Sequence, residues 1–491
     1  MKFKIGSFLK EKSMSFRLAL AFLLSGIFLW SCNQDEFYSG QDAKLIFGTD
    51  TVTFDTVFTS IGSVTKWFTV NNTQNQTVNI SNVFLAGGKN SPFRLNINGK
   101  AVNEDSDVEI GAGDSIFIFV EVTIDPTGEN NPMVFHDSVV FNLNGNKQDV
   151  DLIAFGQDFH LLDGEVLKTQ NWQNDKPYLI YNSVLVDSLE TLTIEAGCRI
   201  HFHQGSSMFV KGTLKASGTF EEKISFSGDR LEKGYENVPG QWGSVRIFEN
   251  GGIYVYGGLH FLVGSKDNSI DWAIIKNANK GIQIDSMGFS ENPVLTISNS
   301  KIENMTLNCI DARTTFIKAS NCIFANSGSY TLALLFGGDY EFNHCTVANY
   351  FREATRKEPA LVMNNYFEFN KITYSFDFKA AFGNCIIYGS NTNEIATDVD
   401  GTVSFSYSFK NCLVNTNLSA GFENSVLNKD PLFVNIPENN FAIDSLSPAR
   451  NIGNIETARF FPVDLDNQSR LEDEGPDSGA LEWIPTIKRK K

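Results

Sequence analysis

The sequence predicts an all-β chain: a small antiparallel β-sandwich, then a long stack of short parallel strands, then a closing C-terminal segment. Three observations point there. Apolar and polar residues alternate through residues 44–158. Asparagine-framed words recur at near-constant spacing from residue 277 onward. The composition, with 39 Gly and 42 Phe against 6 Trp and 7 Met, favours turns, strands and flat aromatic layers over helices. At 491 residues and 42% apolar content, the chain is too long for one core, so two or three domains are expected.

At the front, the basic run "MKFKIGSFLKEK" precedes an apolar stretch, Leu18 to Trp30, that is too short to span a bilayer. Met1 and Met14 both suit the start of such a leader. The stretch ends in Leu29-Trp30-Ser31-Cys32, which resembles the lipobox of bacterial lipoproteins, with Trp30 an unusual filler. The resemblance implies that residues 1–31 are a signal peptide and that Cys32 becomes the lipidated, palmitate-bearing terminus. Residues 32–43 then form an anchor linker. Asp35-Glu36, just past Cys32, resembles the surface-export signal of some Gram-negative lipoproteins, which implies an outer-membrane protein facing the cell exterior. The whole chain carries a net −17 and residues 1–31 carry +4, which leaves −21 for the remainder. So negative a surface repels phosphate backbones and anionic headgroups. Nucleic acid is therefore excluded as a partner, and membrane contact is limited to the lipid anchor.

Residues 44–158 hold runs such as "DTVTFDTVF", "KWFTVNN" and "DSIFIFVEVTID", parted by turn clusters such as "NNTQNQ" and "GGKNSP". Period two with breaks of this spacing predicts an antiparallel sandwich. The segment holds no cysteine, so no inter-sheet disulfide is available. Its pattern, "FDTVFTSIGSV" through "DSIFIFVEVTI" to "GQD", resembles the Ig-like modules at the front of bacterial surface lipoproteins.

Residues 159–428 change texture. Short strands parted by single glycines give way to the words "ISNSKIENMT", "ASNCIFANSG" and "EFNHCTVANY". Their first asparagines, Asn299, Asn321 and Asn343, are spaced 22 and 22; later copies stand at Asn384 and Asn411. The second asparagines, Asn277, Asn304, Asn326 and Asn349, are spaced 27, 22 and 23. A drifting period near 22 marks a solenoid. If each copy is one turn of a parallel β-helix, asparagines at equivalent corners form a hydrogen-bonded ladder in the αL conformation. Cys322, Cys345, Cys385 and Cys412 fall in the apolar slot. Buried free thiols are expected there, and metal binding is not, since no Cys-x-x-Cys spacing occurs. "GQWGSVRI", "IDWAIIKNANKGI" and the asparagine words resemble the right-handed parallel β-helix repeat proteins. The resemblance implies about eleven rungs, on the order of 50 Å in length.

Residues 429–483 read differently. Asp430-Pro431-Leu432-Phe433, Ser447-Pro448-Ala449, Asp464, Asp466, Arg470, Pro476-Asp477 and Gly479-Ala480 resemble the C-terminal segment that closes many exported bacterial β-helix proteins. A cap is expected here, with 484–491 a basic tail. The resemblance implies a fold and no particular reaction.

Candidate site residues are few. Aligning "GIQID" with "CIDAR" puts Gln283 beside Asp311 and Asp285 beside Arg313 on an outward sheet face. Carboxylates on adjacent rungs suit a glycosidase pair or calcium-assisted elimination on uronates, and equally a solvated face with a cross-strand ion pair. His201 and His203 at i, i+2 can chelate a metal, and Asp464 with Asp466 can hold calcium or form a turn. Trp242, Tyr254 and Tyr256 can stack on sugar rings if exposed. Four Asp-Ser-apolar triplets, beginning at Asp114, Asp137, Asp187 and Asp444, resemble an O-glycosylation sequon of some Gram-negative bacteria and equally suit strand starts. No phosphate-binding loop, nucleophile elbow or zinc-protease motif is found.

The expectation is therefore a surface-anchored lipoprotein that binds a polysaccharide or another surface protein without catalysis and without a cofactor, calcium being the one ion considered. The alternative is a polysaccharide lyase or glycoside hydrolase that uses Asp285, Asp311 and Arg313.

Overall fold

The computed structural model describes residues 37–128, 132–285, 291–472 and 474–484. Cys32, the signal segment and residues 485–491 lie outside these. The chain is nearly all β and divides into two compact units, one ending at Gly156 and the other running from Gln157, with residues 127–131 belonging to the second.

In the first unit, alternation dictates two sheets of four and five strands. Lys66–Asn72 lies between Leu45–Phe47 and Ser115–Val122, antiparallel to both. Val78–Leu85 lies antiparallel to Glu104–Ile110 and Met133–Leu143. Ile116, Ile118, Val120 and Val122 point inward while Phe117 between them is 43% exposed. Inward residues of both sheets share one core, where Phe68 meets Phe141 edge-on at 6.3 Å. Each such buried side chain contributes about 1.5–3 kcal/mol.

The second unit holds two long sheets, of eleven and seventeen strands. The chain visits Ala273–Lys276 in the first, Ile282–Asp285 and Leu295–Ser298 in the second, then Lys301–Met305 back in the first, parallel to Ala273–Lys276. This circuit takes 27 residues from Ile274 to Lys301 and the next takes 22 from Lys301 to Ile323, matching the drifting spacing of the words. Two long strands, Ile310–Ser320 and Leu332–Asn343, span both lanes of the larger sheet, with a register shift between Arg313 and Thr315.

The corners bear out their residue types physically. Asn299, Asn321, Asn384 and Asn411 sit at φ between 48° and 55°, and Asn277, Asn304 and Asn326 between 54° and 66°. Two positions differ from the sequence reading: Asn349 is not in the αL conformation but ends the strand Thr346–Asn349 opposite Gly389, and the corner expected at Asn343 is displaced. Asn343 pairs with Ser320 as the last strand residue, and His344 takes the corner at φ 49°. Of the expected asparagine ladder, one direct step between corner asparagines is made among the described residues, and the other corner amides turn to different partners. Asn321 Nδ2 donates to Asn299 Oδ1 at 3.1 Å and Asn384 Nδ2 meets His344 Nε2 at 2.8 Å, but Arg470 donates to Asn321 Oδ1 and the Asn454 N–H to Asn384 Oδ1. Inside, Phe342, Phe382, Phe409 and Phe422 stack level on level at 5.0, 4.8 and 5.3 Å. All six described cysteines are free and buried, and Cys385 N–H donates to Cys412 Sγ at 3.3 Å. Burial pushes the thiols of Cys322 and Cys385 well up.

The C-terminal segment is not simply an end plug. Phe441, Leu465, Ala480 and Leu481 pack on Ile323, Ala325 and Ala348, while Ile443 and Ala449 pack on Ile386 and Leu413. It therefore lies along the flank of the eleven-stranded sheet. A six-residue helix, Ile455–Phe460, is capped by Asn454, whose side chain accepts from the Thr457 N–H. The buried pair Arg470–Glu482, 0% and 3% exposed, fixes the segment's last turn.

Candidate functional site

The predicted carboxylates do meet. Ile282 pairs with Ile310, Gln283 with Asp311 and Asp285 with Arg313, because the inward isoleucines set the register and leave the intervening residues outward. Arg313 Nε donates to Asp311 Oδ1 at 2.9 Å and its Nη1 to Asp285 Oδ1 at 3.2 Å.

Two residues unforeseen in the sequence, and a third foreseen in another role, complete the cluster. Lys280, just before the strand, donates to Asp311 Oδ2 at 2.6 Å. His260 Nε2 lies 2.7 Å from Asp285 Oδ2. The hydroxyl of Tyr254, foreseen only as a stacking ring, accepts from Gln283 Nε2 at 2.8 Å and Arg313 Nη1 at 2.9 Å. Tyr254 arrives on a hairpin, Val245–Ile247 with Ile253–Val255, inserted ahead of the strand Leu259–Phe261. The hairpin's exit is tight: a Cβ on Gly257 would stand 2.5 Å from Gln283 Cβ. Tyr256 packs on Tyr254 at 4.7 Å and on His260 at 5.7 Å.

The patch is thus a cross-strand ion-pair network that is partly covered: Asp311 and Lys280 side chains are only 4% and 9% exposed, Asp285 and Arg313 26% and 24%. Burial works against ionisation of Asp285, but hydrogen bonds from His260 and Gln283 and the charge of Arg313 outweigh it, holding the carboxyl below its ordinary value. Arg313 moves up despite burial, held by Asp311, Tyr254 and Asp285. A glycosidase acid needs a raised carboxyl. Asp285 is moved the other way. Two buried acceptors of the network, His260 Nδ1 and Gln283 Oε1, have no partner.

The other candidates are corrected as follows. Trp242 is fully buried, stacked on Phe202 at 4.1 Å with its N–H on Lys276 O, so it offers no ring to a sugar. His201 is a core residue, its Nδ1 3.2 Å from Gly228 O, and burial lowers it to about 4. His203 instead stacks on Tyr181 and meets Asp229 at 2.7 Å. Asp464 accepts the N–H groups of Asp466, Gln468 and Glu482, closing a turn. Among the described residues no group of three or more His, Cys, Asp or Glu side chains is placed to hold a metal.

A second polar site was not foreseen. Two adjoining cavities, of about 430 and 360 Å³, open between the C-terminal segment and the eleven-stranded sheet and share Lys301, Glu438 and Asn439. Asn439, at φ 53°, reaches into the second asparagine corner. It accepts from Asn326 Nδ2 at 2.7 Å and donates to Asn304 Oδ1 at 3.4 Å. Beside it, Glu303 is 8% exposed, yet its buried Oε2 accepts no hydrogen bond; the nearest cation, Lys301 Nζ, stands 3.9 Å away. One level off, Asn277 Oδ1 is likewise buried and without a partner. A buried acceptor left this way costs about 1–3 kcal/mol.

No protein-family model matches the chain, and no curated protein matches it. Parts of it are similar to solved structures. A family 123 glycoside hydrolase from Clostridium perfringens matches at 9% identity and TM-score 0.18, covering 26% of each chain. The E. coli chaperone DraB matches at 13% identity and TM-score 0.17, covering 24% of this chain and 55% of that one. A PapD-like domain of human CEP192 matches at 10% identity and TM-score 0.17, covering 25% and 89%. The chain thus spans about a quarter of the first and about half of the second. Likenesses at these scores carry no functional argument.

Proposed function

We propose that this chain is a non-catalytic glycan-binding scaffold, lipid-anchored through Cys32 at the outer face of a Gram-negative outer membrane. In this reading the first unit is an Ig-like module serving as spacer, and the second is a right-handed parallel β-helix that presents the binding surface. No cofactor is invoked. One observation carries the preference for binding over catalysis: both carboxylates that an enzyme would use are held by cations beneath a hairpin, with Asp285 lowered rather than raised.

The test uses the chain with Cys32 replaced, incubated with a panel of polysaccharides with and without calcium. Retention of a polysaccharide without new reducing ends or unsaturated uronate absorbance is the expected result. Product formation abolished by Asp311→Asn overturns it. For the anchor, palmitate labelling that disappears in Cys32→Ala, together with protease access on whole cells, is expected.

One observation favours the enzyme alternative. The His260–Asp285 pair resembles an oriented general base whose Nδ1 is spare. In this structure His260 is 1% exposed, so that reading needs the hairpin at 245–255 to lift. A variant with a shortened hairpin that gains hydrolytic or lyase activity would establish it.

A further inference from the structure

From the cavities under the C-terminal segment we infer that the flank cleft around Glu303 and Asn439 is a subsite for a short, neutral, hydroxyl-rich saccharide. The inference rests on the scaffold reading above and gives it a place and a ligand class.

Three features converge. The space is sufficient, because each cavity falls in the range of about 300–1,000 Å³ usual for small-ligand sites. The polar groups are arranged for donors. Glu303 lines the cleft, its buried Oε2 without a hydrogen bond and 3.9 Å from Lys301 Nζ; Asn277 Oδ1, one level away and outside the lining, is also buried and unbonded. Asn277 Nδ2 donates to the carbonyl of Glu236, a lining residue, at 2.9 Å, which fixes the amide beside the cleft. Spare buried acceptors call for a ligand that brings O–H or N–H groups. The charge is close to balanced: Glu236, Glu303, Glu353 and Glu438 stand against Lys276, Lys301 and Arg352. With one carboxylate in excess, such a lining gives a polyuronate or a phosphate no electrostatic advantage.

The remaining lining suits a sugar ring. Lys276 and Lys301 supply donors for ring and glycosidic oxygens, and half-buried Tyr350 and Phe351 supply apolar surface on one wall. Arg352 crosses toward the C-terminal segment, its Nη1 3.5 Å from Pro437 O, so the far wall is tied to the near one. The buried amides that frame the cleft, Asn304 and Asn326, are fixed by Asn439 rather than by each other. A segment more than 100 residues away in sequence thus completes the site.

The experiment titrates the chain with Cys32 replaced against an array of neutral di- and trisaccharides of hexoses and N-acetylhexosamines. Backbone hydrogen exchange is then measured with the best binder. The expected result is saturable binding, with protection at residues 233–239, 350–353 and 436–440. Glu303→Gln weakens it about tenfold and Arg352→Ala severalfold, with thermal midpoints unchanged. Binding that leaves these segments unprotected and both variants unaffected overturns the inference while leaving the scaffold reading in place. Failure of the unaltered chain to bind any neutral saccharide or polysaccharide overturns both. Where a variant unfolds, the exchange pattern of the unaltered chain decides.

Discussion

The cluster on the seventeen-stranded sheet and the flank cleft are both polar, both built on stacked strands, and both leave buried acceptors without a hydrogen bond; they differ in how tightly their charges are held. In the cluster, Asp311 is held by Lys280 and Arg313, Asp285 by Arg313 and His260, and aromatic rings occupy the space above. In the cleft, Glu303 lines an open volume, and its buried Oε2 has no hydrogen bond and only a loose ion pair with Lys301 at 3.9 Å. Crowded charge is therefore a poor guide to function in this molecule. In the reading proposed above, closely paired charge beneath a hairpin is a structural device and loosely paired polarity beside a cavity is a site.

If that contrast is right, the largest effect of substitution falls on the cluster. Asp311→Ala leaves Lys280 and Arg313 facing each other's charge in a buried setting, and loss of about 3–5 kcal/mol from the second unit is expected. Urea unfolding followed by tryptophan emission would show it. A cost below about 1 kcal/mol would mean that the network opens to water and the contrast fails.

Acid separates the regions next. His201 is held neutral by burial, at about 4 in the fold against an ordinary 6.5. Its folded value is depressed, so the unfolded chain binds more protons, and the stability it confers is complete above pH 6.5 and lost as pH falls toward 4. About 3 kcal/mol is involved. His344 is lowered in the same direction by burial and Arg470. Asp285, also depressed, keeps its contribution until pH falls below the ordinary carboxylate range. Unfolding free energy should therefore decline between pH 6.5 and 4 while Asp285 stays ionised. His201→Gln should flatten that slope; an unchanged slope would move the acid sensitivity elsewhere.

A smaller effect tests the covering hairpin. Tyr254→Phe removes the acceptor of Gln283 and Arg313 but keeps the ring, and a loss of about 1–2 kcal/mol is expected. Faster hydrogen exchange at 245–255 should accompany it.

What could be read from the sequence follows from what is local. The pairing of Gln283 with Asp311 and Asp285 with Arg313 was legible because isoleucines fix the register over short strands. The aromatic layers and the αL asparagines were legible because each is a single-residue preference repeated every level. Tyr254 and His260 escaped as partners because the hairpin breaks the period between Ser244 and Leu259. The corner at 344 was displaced by one because the words were aligned on asparagine, whereas Cys345, like Cys322 and Cys385, keeps the true frame. The cleft left no trace in the words at all. It exists only where Asn439 returns to Asn326, 113 residues back, and no periodicity reports such a contact.

The smallest stability effect is the sharpest test of the contrast. Lys301 is half-buried, shared by both cavities, and bound only loosely to Glu303 at 3.9 Å. A partly exposed pair of that geometry contributes little, so Lys301→Ala should change unfolding free energy by no more than about 0.5 kcal/mol. The same substitution removes a donor common to both cavities, so saccharide affinity should fall while the fold stays intact. A site that evolved to hold a ligand separates these two readouts; a structural cluster, such as the one around Asp311, cannot. Equal loss of stability and binding on Lys301→Ala would mean that the cleft too is structural, and that the spare acceptors near it are packing defects rather than an invitation.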